Sequence, residues 1–414
     1  MPRAAAARNW RSLLSTALTL SAVSRGVTTS PLSRNSIARI VLDLLREEVT
    51  ASRRGAGAAM RPARWSEATR ADADGLDLDS LERLNIAAAL NEFFHLHEYG
   101  AEDYLLASPL VGEWCDVVEQ SLRATGTQLT FRTSGSTGAP KRCTHRVADL
   151  LAEASRWAEY LDGPTHLIAL VPSHHIYGTL FTAMLPDLLG CPVERAYGAD
   201  AVARAAAGSV VIATPTMWQY LSRSLLAFPP DVVGVSSTAP MPAQLAHQLG
   251  GQRLARLLEV YGSTETAGIA VRDRHDAPFR LLDRWMRDAT GGLVCEGGEP
   301  VALPDAAEWL DERHFALRGR IDGAVQIGGL NVFPDRVRDV LLAHAGVAEA
   351  AVRLDADTGR LKAFVVPAAG TAGETLVAEL DRWCGARVAD VERPRRIAVG
   401  ANLPRSAMGK PADW

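Results

Sequence analysis

No run in this 414-residue chain is long and apolar enough to span a bilayer. There is no Cys-x-x-Cys pair. The five cysteines (Cys115, Cys143, Cys191, Cys295 and Cys384) are scattered, which argues against a disulfide framework and a cysteine zinc site and suits a reducing compartment. Neither sign of charge dominates: the formal net charge is -4, so nothing global draws the chain to nucleic acid or to an anionic membrane. The Walker pattern Gly-x-x-x-x-Gly-Lys-Ser/Thr is missing as well. Acids are absent from residues 1–35, which carry five arginines and a short apolar patch from Leu13 to Val23. That stretch reads as a signal or transit peptide, as a tail, or as the product of an upstream start codon. The expectation is a basic, disordered tail on a cytoplasmic protein.

What the chain does have is length enough for two or three domains and one conspicuous loop, Thr133-Ser134-Gly135-Ser136-Thr137-Gly138-Ala139-Pro140-Lys141. Leu129 and Phe131 before it alternate as in a strand, and Leu150 to Ala154 after it reads as a helix. Glycines let the backbone approach a polyphosphate, hydroxyls and N–H groups donate to its oxygens, and Lys141 adds positive charge. A plain Gly/Ser linker is the alternative, but Pro140 and Lys141 close the run in a fixed pattern. Further on, apolar runs at Leu167–Val171, Val210–Ala213 and Val232–Val235 alternate with helical stretches. This predicts an α/β fold with a mostly parallel sheet.

The loop resembles the phosphate loop of the adenylate-forming enzymes: acyl- and aryl-CoA synthetases, peptide-synthetase adenylation domains and luciferases. Later motifs follow in that family's order. The resemblance implies ATP and Mg²⁺ as cofactors, with Thr133, Ser134, Gly135, Ser136, Thr137, Gly138 and Lys141 around the phosphates. Ser236 to Met241 resembles the family's small-residue turn, which implies that Thr238, Ala239 and Pro240 lie against adenine and the substrate carboxylate. Tyr261-Gly262-Ser263-Thr264-Glu265 resembles its Tyr-Gly-x-Thr-Glu. By that match Tyr261 and Gly262 border adenine, Thr264 binds the α-phosphate, and Glu265 holds the metal, a hard cation that wants carboxylate oxygen.

Pro172 to Gly178 resembles the motif whose histidine and aromatic residue border the acyl pocket, implying His175. Without partners at suitable spacing, the pair His174-His175 is not read as a zinc site. Asp305, fourteen residues before Gly319, implies a ribose contact, and Gly319-Arg320-Ile321-Asp322 resembles the hinge. There Arg320 is a second ribose or phosphate contact and Asp322 the pivot of a mobile small domain. Leu403 to Lys410 resembles the family's C-terminal motif, making Lys410 the lysine that stabilises charge gathering at the α-phosphate. Gln326 stands where many members have a lysine that serves the second half-reaction.

A second resemblance covers residues 36–122. A helix from Ser36 to Val49, a long loop, Asp79-Ser80-Leu81 and a helix ending at Phe94 resemble an acyl carrier protein, which implies phosphopantetheine on Ser80. Asp79 with Glu82 also reads as a capping box on an ordinary amphipathic helix. The expected organisation is a tail over 1–35, a helical carrier-like domain over 36–122, a reduced adenylation core over 123–320 and a mobile small α+β domain over 321–414. The expected function is ATP-dependent activation of a carboxylic acid, aromatic as in a hydroxybenzoate, as an acyl adenylate. Transfer to the phosphopantetheine thiol of an acyl carrier protein follows, as in short ligases that load aryl starters for pigments. A free-CoA ligase and a non-catalytic docking protein are the alternatives. Neither nucleic acid nor membrane is an expected partner.

Overall fold

The computed structural model describes residues 30–53, 65–133, 141–161, 163–288, 292–295, 298, 300–328, 330–355, 357–404 and 414. Most of the expected basic tail, the loop residues Ser134 to Gly138, and Lys410 lie outside the described residues.

Four helices open the fold. Helix α1 (Arg34–Ser52) is capped by Ser33, whose side chain accepts from the Ser36 N–H, and buries Ile37, Ile40, Val41, Leu44 and Leu45. Helix α2 (Ser80–Phe94) carries the capping box read from the sequence: the Glu82 N–H donates to Asp79 Oδ1 at 2.7 Å and the Asp79 N–H to Glu82 Oε2 at 3.2 Å. It stops at His95, which takes a left-handed conformation. Helices α3 (Glu102–Ala107) and α4 (Val111–Ala124) follow.

Strands β1 (Gln128–Thr133) and β2 (Lys141–Arg146) pair antiparallel with Thr133 opposite Lys141, so the phosphate-loop sequence connects a hairpin. The sequence Lys-Arg-Cys-Thr-His-Arg of β2 lacks apolar alternation and gave no strand signal. Then come α5 (Val147–Tyr160), β3 (Leu167–Ala169) and the helical run α6 (176–189), whose centre Thr179–Met184 is a π-helix. β4 (Val193–Arg195), α7 (Ala199–Ala203), β5 (Val210–Ala213), α8 (Pro215–Ser224), β6 (Val233–Ser236) and α9 (Ala243–Gly251) continue the alternation of strand and helix. β7 (Arg256–Ser263), β8 (Ala267–Arg272), β9 (Phe279–Leu281), β10 (Trp285–Arg287), β11 (Leu293–Cys295), β12 (Asp305–Trp309) and β13 (His314–Arg320) complete the larger part.

The main sheet has nine strands in the order β12-β13-β9-β8-β7-β6-β5-β3-β4. Strands β4, β3, β5, β6 and β7 run parallel, with helices as connections, as expected of α/β units. Strands β8, β9, β13 and β12 extend the sheet by antiparallel pairing. The C-terminal unit is built from the hairpin β14 (Val325–Ile327) and β15 (Leu330–Val332), α10 (Pro334–Leu342), β16 (Val347–Asp355), β17 (Arg360–Pro367), α11 (Gly373–Gly385) and β18 (Arg396–Val399). Strands β16, β17 and β18 form a separate sheet.

Core composition decides how these parts relate. One continuous apolar cluster runs from Leu32, Ile37, Leu45, Phe94 and Val118 through Phe131, Trp157 and Phe181 to Leu281 and Phe315. The segment 36–122, expected as a carrier-like domain of its own, therefore shares its core with the sheet layer instead of closing around one. The apolar faces of α1, α2 and α4 find their partners across the chain, and a domain is recognised by a core of its own. The C-terminal unit has separate clusters, Leu341, Val347, Ala363, Val365, Leu376 and Leu380 in one and Ile327, Val332, Val337 and Leu361 in the other.

Candidate active site

The ends of the parallel strands converge on one edge, the place where open α/β sheets bind ligands. The His174-His175 segment follows β3, the Thr238 turn follows β6, and the Thr264-Glu265 turn follows β7. Cross-links tie these ends together. Tyr177 donates its phenol proton to the carbonyls of Ala213 at 3.2 Å and Val235 at 2.9 Å, joining the histidine segment to β5 and β6. Ser237 Oγ donates to the Val260 carbonyl at 2.9 Å, joining the Thr238 turn to β7. Gly178 is obligatory here, because a Cβ would meet the Pro172 carbonyl oxygen at 1.8 Å.

Thr238 adopts φ of 79°, a left-handed conformation that a β-branched residue rarely takes. Its Oγ1 and the buried Ser236 Oγ have no hydrogen-bond partner among the described residues. Strain and orphaned hydroxyls at the open end of β6, with small Ala239 and exposed Pro240 beside them, suit a polar ligand laid against the turn. The ATP implied by the sequence motifs fits this turn.

Tyr261 donates to Asp305 Oδ2 at 2.7 Å. Asp305 opens β12 directly opposite Arg320 at the end of β13, and Arg320 Nε donates to Asp322 Oδ1 at 2.9 Å. The structure thus brings together Tyr261, Asp305, Arg320 and Asp322, which are far apart in sequence. Burial, then the Asp305 carboxylate, raises the Tyr261 phenol, so it stays a donor. Hydrogen bonding to Asp322 raises Arg320 and in turn lowers Asp322. Gly262 sits where a Cβ would meet the Ala267 carbonyl at 2.1 Å, which lets the chain turn sharply through Thr264 and exposed Glu265.

That turn is held from two sides. On one, Lys141, Cys143 and His145 occupy alternate positions of β2 and so share a face. His145 Nε2 donates to the Thr264 carbonyl at 2.6 Å, while burial raises the Cys143 thiol, with Glu265 adding to the shift and Lys141 opposing it. Desolvation lowers the His145 pKa and keeps the ring neutral. On the other side, buried Glu153 of α5 faces Arg284 at 3.0 Å and accepts from the Trp157 indole and the Gly268 N–H. Arg284 donates to the carbonyl of Thr266 at 2.5 Å. This ion pair ties α5 to Thr266 and Gly268 at the start of β8.

Three further supports come from the N-terminal helices. Asp43, only 3% exposed, accepts from the Ser173 N–H at 2.7 Å and from Arg195 Nε at 3.3 Å. One turn further along α1, Glu47 lies 2.7 Å from His174 Nε2. Contact with His174 lowers Glu47 to about 2. On α2, Glu92 accepts from Arg132 and Arg142, opposite one another in the β1–β2 hairpin, at 2.8 Å each. Arg132 first, and Arg142 with it, lowers Glu92 to about 2.

His175 presents its ring to solvent at the mouth of this region, but the protein around it desolvates the imidazole. Desolvation by the surrounding protein, and then His174, lowers it to about 4. Lys141 is exposed at the first position of β2, and Thr133 ends β1. Gln326 lies across the β14–β15 hairpin from Asn331, to which its amide donates at 2.9 Å. Ser80 is exposed at the first position of α2.

Sequence reasoning missed Asp43, Glu47, Glu92, His145, Glu153 and Arg284. The signal for Asp43 was present: an acid within the apolar stripe of α1, between Ile40 and Leu44. An acid on a buried face needs a partner.

Comparison with known proteins shows the family to which these motifs belong. The AMP-binding enzyme family matches residues 116–305, and the AMP-binding enzyme C-terminal domain matches residues 337–410. A 4-coumarate–CoA ligase of Rhodobacter capsulatus is 40% identical over 390 residues, covering 91% of this chain and 100% of that protein. Another, of Halorhodospira halophila, is 40% identical over 92% of this chain and 99% of its own length. Among solved structures, the o-succinylbenzoate CoA synthetase of Bacillus subtilis superposes with a TM-score of 0.55 at 19% identity, covering 75% of this chain and 73% of that one. At that identity the likeness speaks for the fold.

Proposed function

The chain belongs to the adenylate-forming AMP-binding enzyme family and is an AMP-forming acid–thiol ligase, and from that premise we propose that it activates an aromatic carboxylic acid of the hydroxycinnamate or hydroxybenzoate class and delivers it to coenzyme A. One observation carries the reading: two 4-coumarate–CoA ligases share 40% identity with it along essentially their whole length. With 91% of this chain aligned, too little is left over to hold the segment 36–122 outside the match. The helices that suggested a fused carrier thus have counterparts in enzymes named for CoA as acceptor. In this reading they are supports of the ligase, and Ser80 is the first residue of a capped helix.

The reaction has two halves. The substrate carboxylate attacks the α-phosphorus of ATP, the bond to the bridging oxygen breaks, and pyrophosphate leaves with that electron pair. The CoA thiolate then attacks the acyl carbon, and AMP departs with the C–O electrons. In-line displacement at phosphorus asks for positioning and charge neutralisation more than for proton transfer. Asp305 and Arg320 hold the ribose, Thr238 to Pro240 and Tyr261 border adenine, and Lys141 with the loop before it and Thr264 bind the phosphates. Mg²⁺ on Glu265 would neutralise phosphate charge. His175, neutral at the cleft mouth, borders the acyl group without placing a second charge beside its carboxylate. Lys410 stabilises the charge that gathers at the α-phosphate, and the C-terminal unit turns about Asp322 between the halves.

The test is ATP–pyrophosphate exchange over a panel of aryl and fatty acids, followed by thioester formation with CoA or with a phosphopantetheinylated carrier. Exchange with an aryl acid and thioester formed on CoA support the proposal. Exchange with fatty acids alone, or thioester on the carrier alone, would refute it.

A further inference from the structure

We propose that Glu47, His174 and His175 form a binding site for one borderline divalent cation, zinc above all, at the mouth of the acyl cleft. Each residue offers one ligand atom, and these atoms all lie within 4.8 Å of one another. Zinc bonds of about 2.0–2.2 Å to imidazole nitrogen and carboxylate oxygen place neighbouring ligands roughly 3.3–3.5 Å apart. Glu47 and His175, both exposed, are the side chains free to turn toward that spacing. Two histidines and a glutamate, with a position left for water, form a ligand set that zinc sites use, whereas magnesium prefers oxygen throughout.

The state of His174 points to a ligand independently. Its side chain is only 6% exposed, yet neither ring nitrogen has a hydrogen-bond partner among the described residues. Nε2 lies 2.7 Å from Glu47 Oε2 but not along a hydrogen-bond direction. A buried ring nitrogen without a hydrogen bond is unfavourable, and a metal–nitrogen bond satisfies it. Glu47 and His175 are open to solvent, which supplies an entry path and room for water. The backbone beneath is held in place: Asp43 takes the Ser173 N–H, Thr179 Oγ1 donates to the Ser173 carbonyl at 2.8 Å, and Thr182 Oγ1 donates to that of Gly178 at 2.7 Å. Such outer contacts orient metal ligands.

A second cluster, His95, His97 and Glu98, has the same residue types but no such vacancy. His95 is engaged by Thr130 Oγ1 at 2.7 Å and by Glu98, and His97 by Asn91 Oδ1 at 3.1 Å. Sequence spacing could not reveal the first cluster, because Glu47 comes from α1, far from the histidine pair.

Zinc at this site would engage a ring nitrogen of His175. If His175 borders the acyl pocket, which rests on the function proposed above, zinc inhibits acid activation. Binding itself does not depend on that function. The test uses the full chain, stripped with chelator and desalted, titrated with Zn²⁺ alone and in parallel with Co²⁺. The expected result is one Zn²⁺ per chain and a visible Co²⁺ band of a four-coordinate site. Glu47→Gln, a change at a half-exposed position, and His174→Phe each weaken binding by about tenfold or more, while the double variant His95→Ala/His97→Ala binds as the parent does. Absence of stoichiometric binding overturns the proposal. So does binding that survives both Glu47→Gln and His174→Phe in folded protein, or that disappears in the His95/His97 variant. Zinc inhibition of pyrophosphate exchange that Glu47→Gln relieves would support the role at the acyl pocket. Stoichiometric binding without exchange activity would sustain the site and remove only that role.

Discussion

The N-terminal helices and the C-terminal unit stand at the two ends of the chain, and they relate to the main sheet in opposite ways. The helices have no core of their own; Ile37, Leu45, Phe94 and Val118 belong to the cluster that extends to Phe315. They also send charge into the site: Asp43 to the Ser173 backbone, Glu47 to His174, and Glu92 to the arginines of the phosphate hairpin. The C-terminal unit packs around separate clusters, and its approach runs through the Arg320–Asp322 pair. A shared core resists relative motion, while a separate core on a short connection permits it. The first region thus suits a fixed support of the site, the second a part that brings a residue to it and withdraws it.

The largest effect expected from breaking this contrast lies in the C-terminal unit. Lys410→Ala should cost on the order of 3 kcal/mol in acid activation, a hundredfold or more in rate, with the melting temperature unchanged. Unchanged pyrophosphate exchange in that variant would remove Lys410 from the mechanism. At the fixed end the balance reverses. Asp43→Ala leaves the Ser173 N–H and Arg195 without their buried acceptor and should lower stability by about 2–4 kcal/mol. Urea unfolding measures this, and a midpoint equal to that of the parent would show that α1 does not brace the histidine segment.

Acid should separate the two regions further. Among the described residues, the carboxylates lowered to about 2 are Glu47, Glu82 and Glu92, all in the N-terminal helices. Their causes are contact with His174 for the first, and hydrogen bonds from Arg53 and from Arg132 for the others. Folded-state values below the ordinary 4.5 mean that the unfolded chain binds more protons. The stability these groups confer is complete above that ordinary value and is lost as pH falls through it toward 2. Hydrogen exchange during acid titration should therefore show α1 and α2 losing protection before β16 and β17. The reverse order would contradict the assignment.

Smaller effects follow at the surface. Glu92→Gln removes a pairing to two largely exposed arginines and should cost less than about 1 kcal/mol in stability, with the loss appearing mainly as a higher KM for ATP. A change confined to kcat would place Glu92 elsewhere in the mechanism. Ser80→Ala should leave CoA ligation within about twofold of the parent, since only a weak N-terminal contribution to α2 is altered. Incubating the parent with a phosphopantetheinyl transferase and CoA should leave its mass unchanged. A mass gain that Ser80→Ala abolishes would restore the carrier reading.

What the sequence made legible of the candidate site is local in its chemistry. Gly262 and Gly178 are required within a few residues of their own motif, by the carbonyls of Ala267 and Pro172. The capping box of α2 spans four residues and was read correctly. Strand β2 was missed because Lys-Arg-Cys-Thr-His-Arg alternates between polar types and shows no apolar face. The carrier-like reading of 36–122 rests on patterns too general to single out a carrier. Helix spacing, a cap and an exposed serine are common to any capped amphipathic helix, and nothing in a single sequence says which surface an apolar face will meet.

By itself, then, the sequence determined the α/β class, the order of the nucleotide-binding motifs and the residue types gathered at the strand ends, all set by patterns a few residues long. Only the tertiary structure decided what supports them. Asp43 and Ser173 are 130 residues apart, Glu153 and Gly268 are 115 apart, and His145 and Thr264 are 119 apart. Contacts of that range arise from how whole layers pack, which no local pattern encodes.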